Sequence, residues 1–279
     1  RCKMRHANFI RFQRLLGRRG APGRRARLAV ERLGDRTAPA VFTVNSVGDQ
    51  PDPTPNDGVQ DDCDPNTAGN QYTLRGAIQT ANSAVNGNAP DEIRFNLAGN
   101  APFTIKPGSD LPTVTDPVVI NGTSQPGWAA GKPVVELDGV NAGQVSTGLK
   151  VTAGGSTVKG LVVNNFFTGI RLESVQGLKG GNTVVGNFVG TDPTGKVAKG
   201  NANGVDISGS KDNTIGGAAE ADRNVISGNY GTGVTILNGA KNNKVIGNYI
   251  GTDLTGKIAV PNILYGVWLN SDSNFVGGG

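Results

Sequence analysis

The chain has 279 residues, 43 of them Gly, with 5% aromatic residues, one Met and one His. Glycine this abundant without a strict three-residue period excludes collagen and suits a fold with many tight turns. Residues 1–36 carry 12 Lys or Arg and 2 acids, while residues 37–279 carry 15 basic and 20 acidic side chains. The net charge of +5 therefore belongs to the N-terminal segment, and the acidic remainder argues against nucleic acid as a partner.

Residues 1–36 read as a basic, disordered leader. Phe9, Ile10, Phe12, Leu15 and Leu16 lie there, but Arg11 and Arg14 interrupt them. They make no continuous apolar core of an ordinary signal peptide. No run of 18 apolar residues exists, so no transmembrane helix is expected. The chain starts with Arg rather than Met, which suggests an earlier start. Cys2 and Cys63 are too few to diagnose a redox compartment, and Cys2 sits in the leader.

Residues 37–92 form an irregular N-terminal segment that should cap the C-terminal repeats. Phe42–Val44 reads as a strand. The stretch 49–64 holds six Asp without the spacing of an EF-hand, so a solvated loop is favoured over a Ca²⁺-ordered one. Leu74, Ala77, Ile78 and Ala81 have i, i+3, i+4, i+7 spacing behind Thr73, which predicts a short amphipathic helix with a Thr N-cap. Strand-like stretches come next at 93–97, 103–105, 118–120 and 134–137.

Residues 93–279 are dominated by a repeat. Val184-Val-Gly-Asn-Phe-Val-Gly-Thr-Asp192-Pro-Thr-Gly-Lys196 recurs 61 residues later as Val245-Ile-Gly-Asn-Tyr-Ile-Gly-Thr-Asp253-Leu-Thr-Gly-Lys257. The period resolves into two coils of three short strands each. First strands open at Gly148, Gly169, Gly204, Gly233 and Gly266, spaced 21, 35, 29 and 33 residues apart, with insertions at 190–203 and 251–265 in the longer coils. Strands this short are not stable alone, whereas stacked coils give each one a parallel partner above and below. The expected fold is all-β: a right-handed parallel β-helix with three strands per coil and a short N-terminal capping α-helix. Leu149, Ile170, Val205, Val234 and Val267 should point inward, with Val151, Leu172, Ile207, Ile236 and Leu269 beside them. Asn182, Asn213, Asn243 and Asn274 should stack at one corner, since Asn tolerates the left-handed region and its amide can bond to the next Asn. The chain stops at Phe275-Val-Gly-Gly-Gly279, partway through a coil, so the stack is expected to be C-terminally incomplete.

Phe42-Thr-Val-Asn-Ser46, the run ending Asp61-Asp62-Cys63, Tyr72-Thr-Leu-Arg-Gly-Ala-Ile78 and Asn82 together resemble the CSLREA domain, which opens large exported bacterial repeat proteins. The coils with Gly-Asn-Tyr-Ile-Gly-Thr-Asp resemble the repeats of the pectin-lyase-like superfamily. The resemblance implies an exported surface protein. That family usually has a second cysteine where this chain has Tyr72, so no disulfide is carried over to Cys63.

β-helix enzymes of this kind act mostly on acidic polysaccharides. Glycoside hydrolysis needs two carboxylates flanking the bond. The β-helix galacturonases pair clustered Asp residues with a His and an Arg-x-Lys, yet this chain has no His beyond His6. Eliminating lyases need a basic proton acceptor, often with Ca²⁺ held by Asp. The nearest arrangement is Arg171 beside Asp206, with Lys150 next in the column. A cross-strand ion pair on an exposed face explains it more simply. The outward column should read Lys150, Arg171, Asp206, Thr235, Trp268, and an outward Trp can stack on a sugar ring. Asp192 and Asp253 are weighed as Ca²⁺ ligands, but a turn role is favoured, with Gly195 and Gly256 at positive φ. The leading expectation is a non-catalytic scaffold or adhesion platform facing an extracellular polysaccharide or cell-surface glycan, with no cofactor. The alternative is a polysaccharide lyase using Arg171, Asp206 and Lys150.

Overall fold

In the computed structural model the described residues are 38–54, 71–174 and 177–277. The basic leader, Cys63 and most of the acidic stretch lie outside them. The chain opens with β1 (Val41–Val44) and α1 (Leu74–Ser83), then runs through β2 (Asp91–Phe95), β3 (Phe103–Ile105), β4 (Val118–Asn121), β5 (Val135–Asp138) and β6 (Thr147–Val151). Four regular coils come next. They are β7 (Thr157–Lys159), β8 (Leu161–Asn164) and β9 (Thr168–Glu173); β10 (Thr183–Val185), β11 (Phe188–Val189) and β12 (Asn203–Ser208); β13 (Thr214–Gly216), β14 (Val225–Ile226) and β15 (Thr232–Leu237); β16 (Lys244–Ile246), β17 (Tyr249–Ile250) and β18 (Tyr265–Leu269). β19 (Phe275–Val276) begins another turn.

Three parallel sheets result. Sheet A runs β1-β2-β4-β7-β10-β13-β16-β19, sheet B β3-β5-β8-β11-β14-β17 and sheet C β6-β9-β12-β15-β18. From β4 onward the chain visits A, B and C in rotation. Val114, bridged in parallel to Val151, takes the sheet C place one coil earlier. The arrangement is consistent with a parallel β-helix. The expected strands are present, with bounds that differ by up to two residues: the one read at 93–97 is Asp91–Phe95, and Val134 lies just outside β5.

Period-2 alternation places the expected sheet C residues inward. Leu149, Ile170, Val205 and Val234 are buried, as are Val151, Leu172, Ile207 and Ile236. The last strand departs from the pattern. Val267 is only partly buried and Leu269 is 45% exposed, because β18 has a neighbour on one side only among the described residues. At the other end, Thr73 caps α1 by accepting a hydrogen bond from Gly76 N–H at 3.1 Å. Leu74, Ala77, Ile78 and Ala81 join the same core. The acidic stretch is not simply solvated where it is described: Asp49 pairs with Arg75 at 2.9 Å, and Asp52 accepts from the Thr80 hydroxyl at 2.7 Å.

The corners are filled by asparagine. Asn182, Asn213, Asn243 and Asn274 form the expected ladder, each Nδ2 donating to the next Oδ1 at 2.9, 2.7 and 2.9 Å. Each Oδ1 also accepts the preceding Asn main-chain N–H, as from Asn182 to Asn213 at 3.0 Å. Two further ladders occupy the other corners: Asn187–Asn224–Asn248 at 3.1 and 2.9 Å, and Asn201–Asn229–Asn262 at 3.1 and 2.8 Å. The left-handed conformation falls not on the first ladder itself but one residue earlier, at Gly181, Asp212, Asn242 and Ser273. The ladder Asn is thereby freed to point its amide along the stack.

The glycines that open the sheet C strands have a different cause. None of Gly148, Gly169, Gly204 and Gly233 has positive φ. A Cβ on each would lie 2.5–2.8 Å from the carbonyl oxygen of the glycine one coil further on. Close backbone approach, not turn geometry, excludes a side chain. The variant Gly204→Ala, whose Cβ would sit 2.5 Å from the Gly233 oxygen, is expected to lose about 1–3 kcal/mol of stability in urea unfolding. Wild-type stability in that variant would contradict the close-packed column.

Candidate functional site

Sheet C brings the outward column together in the expected register. Lys150 lies beside Arg171, Arg171 beside Asp206, Asp206 beside Thr235 and Thr235 beside Trp268. The charged half is a connected chain. Lys150 Nζ contacts Glu173 Oε2 at 2.7 Å, Arg171 Nε contacts the same oxygen at 3.3 Å, and Arg171 Nη1 lies 3.6 Å from Asp206 Oδ2. Glu173 is a member of the chain that the sequence reading does not include. It sits two residues from Arg171 on one strand, so alternation puts both on one face, and that spacing is the signal that could have found it.

The face is less exposed than a surface ion pair would be. The Asp206 side chain is only 14% exposed, and its Oδ1 is buried without a hydrogen-bond partner. Burial pushes the Asp206 carboxyl above the usual carboxylate range; Arg171 opposes the shift and Glu173 adds to it. Glu173 moves the other way, held low first by its hydrogen bond from Lys150. Thr235 is in the column but buried, so little of it is available to a ligand. Trp268 is 46% exposed. Its ring lies 6.1 Å from that of Tyr265, tilted by 33°, and Tyr265 is exposed too. The charged chain and the aromatic pair are separated by two strand spacings, about 9.5 Å.

Chemically, neither cation is free. Lys150 is committed to Glu173, and Arg171 is shared between Glu173 and Asp206. Two cations face two carboxylates, so the column is balanced in charge.

The Asp192 and Asp253 loops are turns of the expected kind. Asp192 Oδ1 accepts from the Thr194 hydroxyl at 2.8 Å and from Lys196 and Val197 N–H. Asp253 Oδ1 accepts from the Thr255 hydroxyl at 2.7 Å and from the N–H groups of Thr255, Lys257 and Ile258. The Thr255 hydrogen bond leads the causes that hold the Asp253 carboxyl low. Gly195 and Gly256 have φ of 64° and 70°. The loops touch, since Leu254 N–H donates to Gly195 O at 3.0 Å. Among the described residues no three His, Cys, Asp or Glu side chains gather as a metal-holding group.

A second polar cluster, absent from the sequence reading, lies outside sheet B. Lys199, at the neck of the 190–203 insertion, reaches Glu136 Oε1 at 2.9 Å and Asp138 Oδ2 at 3.0 Å. Glu136, on β5, also accepts from Asn164 Nδ2 at 2.9 Å and the Thr104 hydroxyl at 2.7 Å. Beside it, Phe188, Val162 and Val225 pack outside the core with Tyr249 and Leu254. The insertions thus have both an apolar seat and a charged one. These residues come from four segments with no shared spacing, so no sequence pattern announces them.

Comparison with protein-family models and with curated proteins yields no match for this chain.

The raised Asp206 pKa fixes the sign of a pH effect. A carboxyl with a higher pKa folded than unfolded costs stability above its folded value and nothing once both states are protonated. Asp206→Asn is therefore expected to raise the urea midpoint at neutral pH, with the gain shrinking as pH falls through the carboxylate range. A gain independent of pH, or a loss at neutral pH, would contradict the burial-driven shift.

Proposed function

We propose that this chain is a non-catalytic, glycan-facing scaffold: a right-handed parallel β-helix whose sheet C surface is a binding platform. One observation carries the reading. The basic groups on that face are tied into a connected ion-pair chain, while an exposed Trp268–Tyr265 pair lies two strands away on the same sheet. A lyase needs a base that can take a proton from the sugar carbon. Arg171 and Lys150 are each engaged by carboxylates, so neither side chain is free to reach a sugar carbon. Aromatic faces bind sugar rings by stacking and need no free charge. The CSLREA-like segments at 42–46 and 72–78 support an exported, cell-surface setting.

The test uses the purified chain on immobilised glycans. Retention on at least one glycan, lost in Trp268→Ala and kept in Arg171→Ala, is the expected result. Equal retention by the Trp268→Ala protein would remove the platform reading. Release of unsaturated sugar products from pectate or alginate would replace it with the lyase.

A further inference from the structure

The Lys199 cluster assembles the parts of a covalent reaction. Glu136 Oε1 accepts from Lys199 Nζ and from Asn164 Nδ2, each at 2.9 Å. A primary amine and a carboxamide therefore sit within two hydrogen-bond lengths of each other, bridged by one carboxylate oxygen. Asn164 and Glu136 are buried, so water competes poorly as a nucleophile. Asp138 Oδ2 holds Nζ from a second side at 3.0 Å. Two groups remain unexplained in the same place. Asn164 Oδ1 and the Thr191 hydroxyl are buried without hydrogen-bond partners, although Thr191 O accepts from Asn164 Nδ2 at 3.1 Å. An orphaned carbonyl oxygen and an orphaned hydroxyl donor are costly in a folded chain.

We propose that Lys199 and Asn164 form an intramolecular amide cross-link, with Glu136 carrying the protons. Lys199 gives a proton to Glu136 Oε1, and the freed Nζ lone pair adds to Asn164 Cγ. That addition forms Nζ–Cγ, and the tetrahedral carbon then collapses to the carbonyl by breaking Cγ–Nδ2. Two protons leave Nζ in all and end on the departing nitrogen, which leaves as ammonium. Glu136 finishes as the carboxylate it began as. No oxidant or co-reactant is required.

The same surroundings set the pace. Burial alone would lower the Lys199 pKa, but hydrogen bonds to Glu136 and Asp138 outweigh it and raise the pKa. The amine is mostly protonated at neutral pH, so the bond forms slowly and faster as pH rises. The product would pin the 190–203 insertion to the β5–β8 face of sheet B by a bond that unfolding does not break.

Intact-mass spectrometry of the purified chain, held at neutral and at alkaline pH, tests this. The expected result is loss of one ammonia, accumulating faster at alkaline pH, with a proteolytic fragment joining the segments of Asn164 and Lys199. Lys199→Arg should keep the full mass, and Glu136→Gln should slow the loss at least tenfold. Full mass in the wild type after prolonged alkaline incubation would overturn the proposal. So would ammonia loss that persists in Lys199→Arg, since that marks ring closure at an asparagine instead.

Discussion

The structure depends on stacking each coil on the last without leaving a polar group stranded at a corner. Parallel strands satisfy the main chain along the faces, but where the chain turns inward its N–H and C=O groups lose their ladder. Asparagine resolves this, because one side chain carries both a donor and an acceptor. In the Asn182–Asn213–Asn243–Asn274 ladder the Oδ1 of Asn213, Asn243 and Asn274 each accepts both a main-chain and a side-chain N–H from the asparagine one coil before. A buried polar group satisfied in this way costs little, whereas an unsatisfied one costs about 1–3 kcal/mol. That three corners carry three such ladders explains how the core can stay apolar while the chain turns at every coil.

Much of this is legible in the sequence, because the repeat is written at each level. Alternation in the strands opening at Gly148 through Gly266 locates the inward residues, and the 61-residue spacing locates the insertions. One ladder can be read and two cannot. Asn187, Asn224 and Asn248 are visible only as strand starts, and Asn201 and Asn262 sit inside insertions where the spacing looks irregular. The reason for the long period is also spatial. The 190–203 and 251–265 loops belong to alternate coils and rest on each other past a shorter connection. Glycine is only partly explained by turns: in the sheet C column it answers to carbonyl contacts from the next coil, which no turn rule registers.

The site is legible as a column and not as an environment. Register brings Lys150, Arg171 and Asp206 together as alternation demands. The covering of Asp206 and the contacts of both cations with Glu173 depend on neighbouring coils, which sequence spacing does not report. Depth is what changes the chemistry. It raises the Asp206 carboxyl pKa, while contacts with Glu173 and Asp206 engage both cations. The Lys199 cluster shows the same limit more sharply, since Thr104, Glu136, Asn164 and Lys199 meet only through the stacking of coils.

The asparagine ladders bind coil to coil. Residue-resolved hydrogen exchange of the main-chain amides of Asn182, Asn213 and Asn243 tests it most directly, because each donates to the next asparagine side chain. Held in this way, these corner amides are expected to exchange as slowly as those of the flanking sheet A strands. Exchange at the rate of the exposed residues beside them would contradict it.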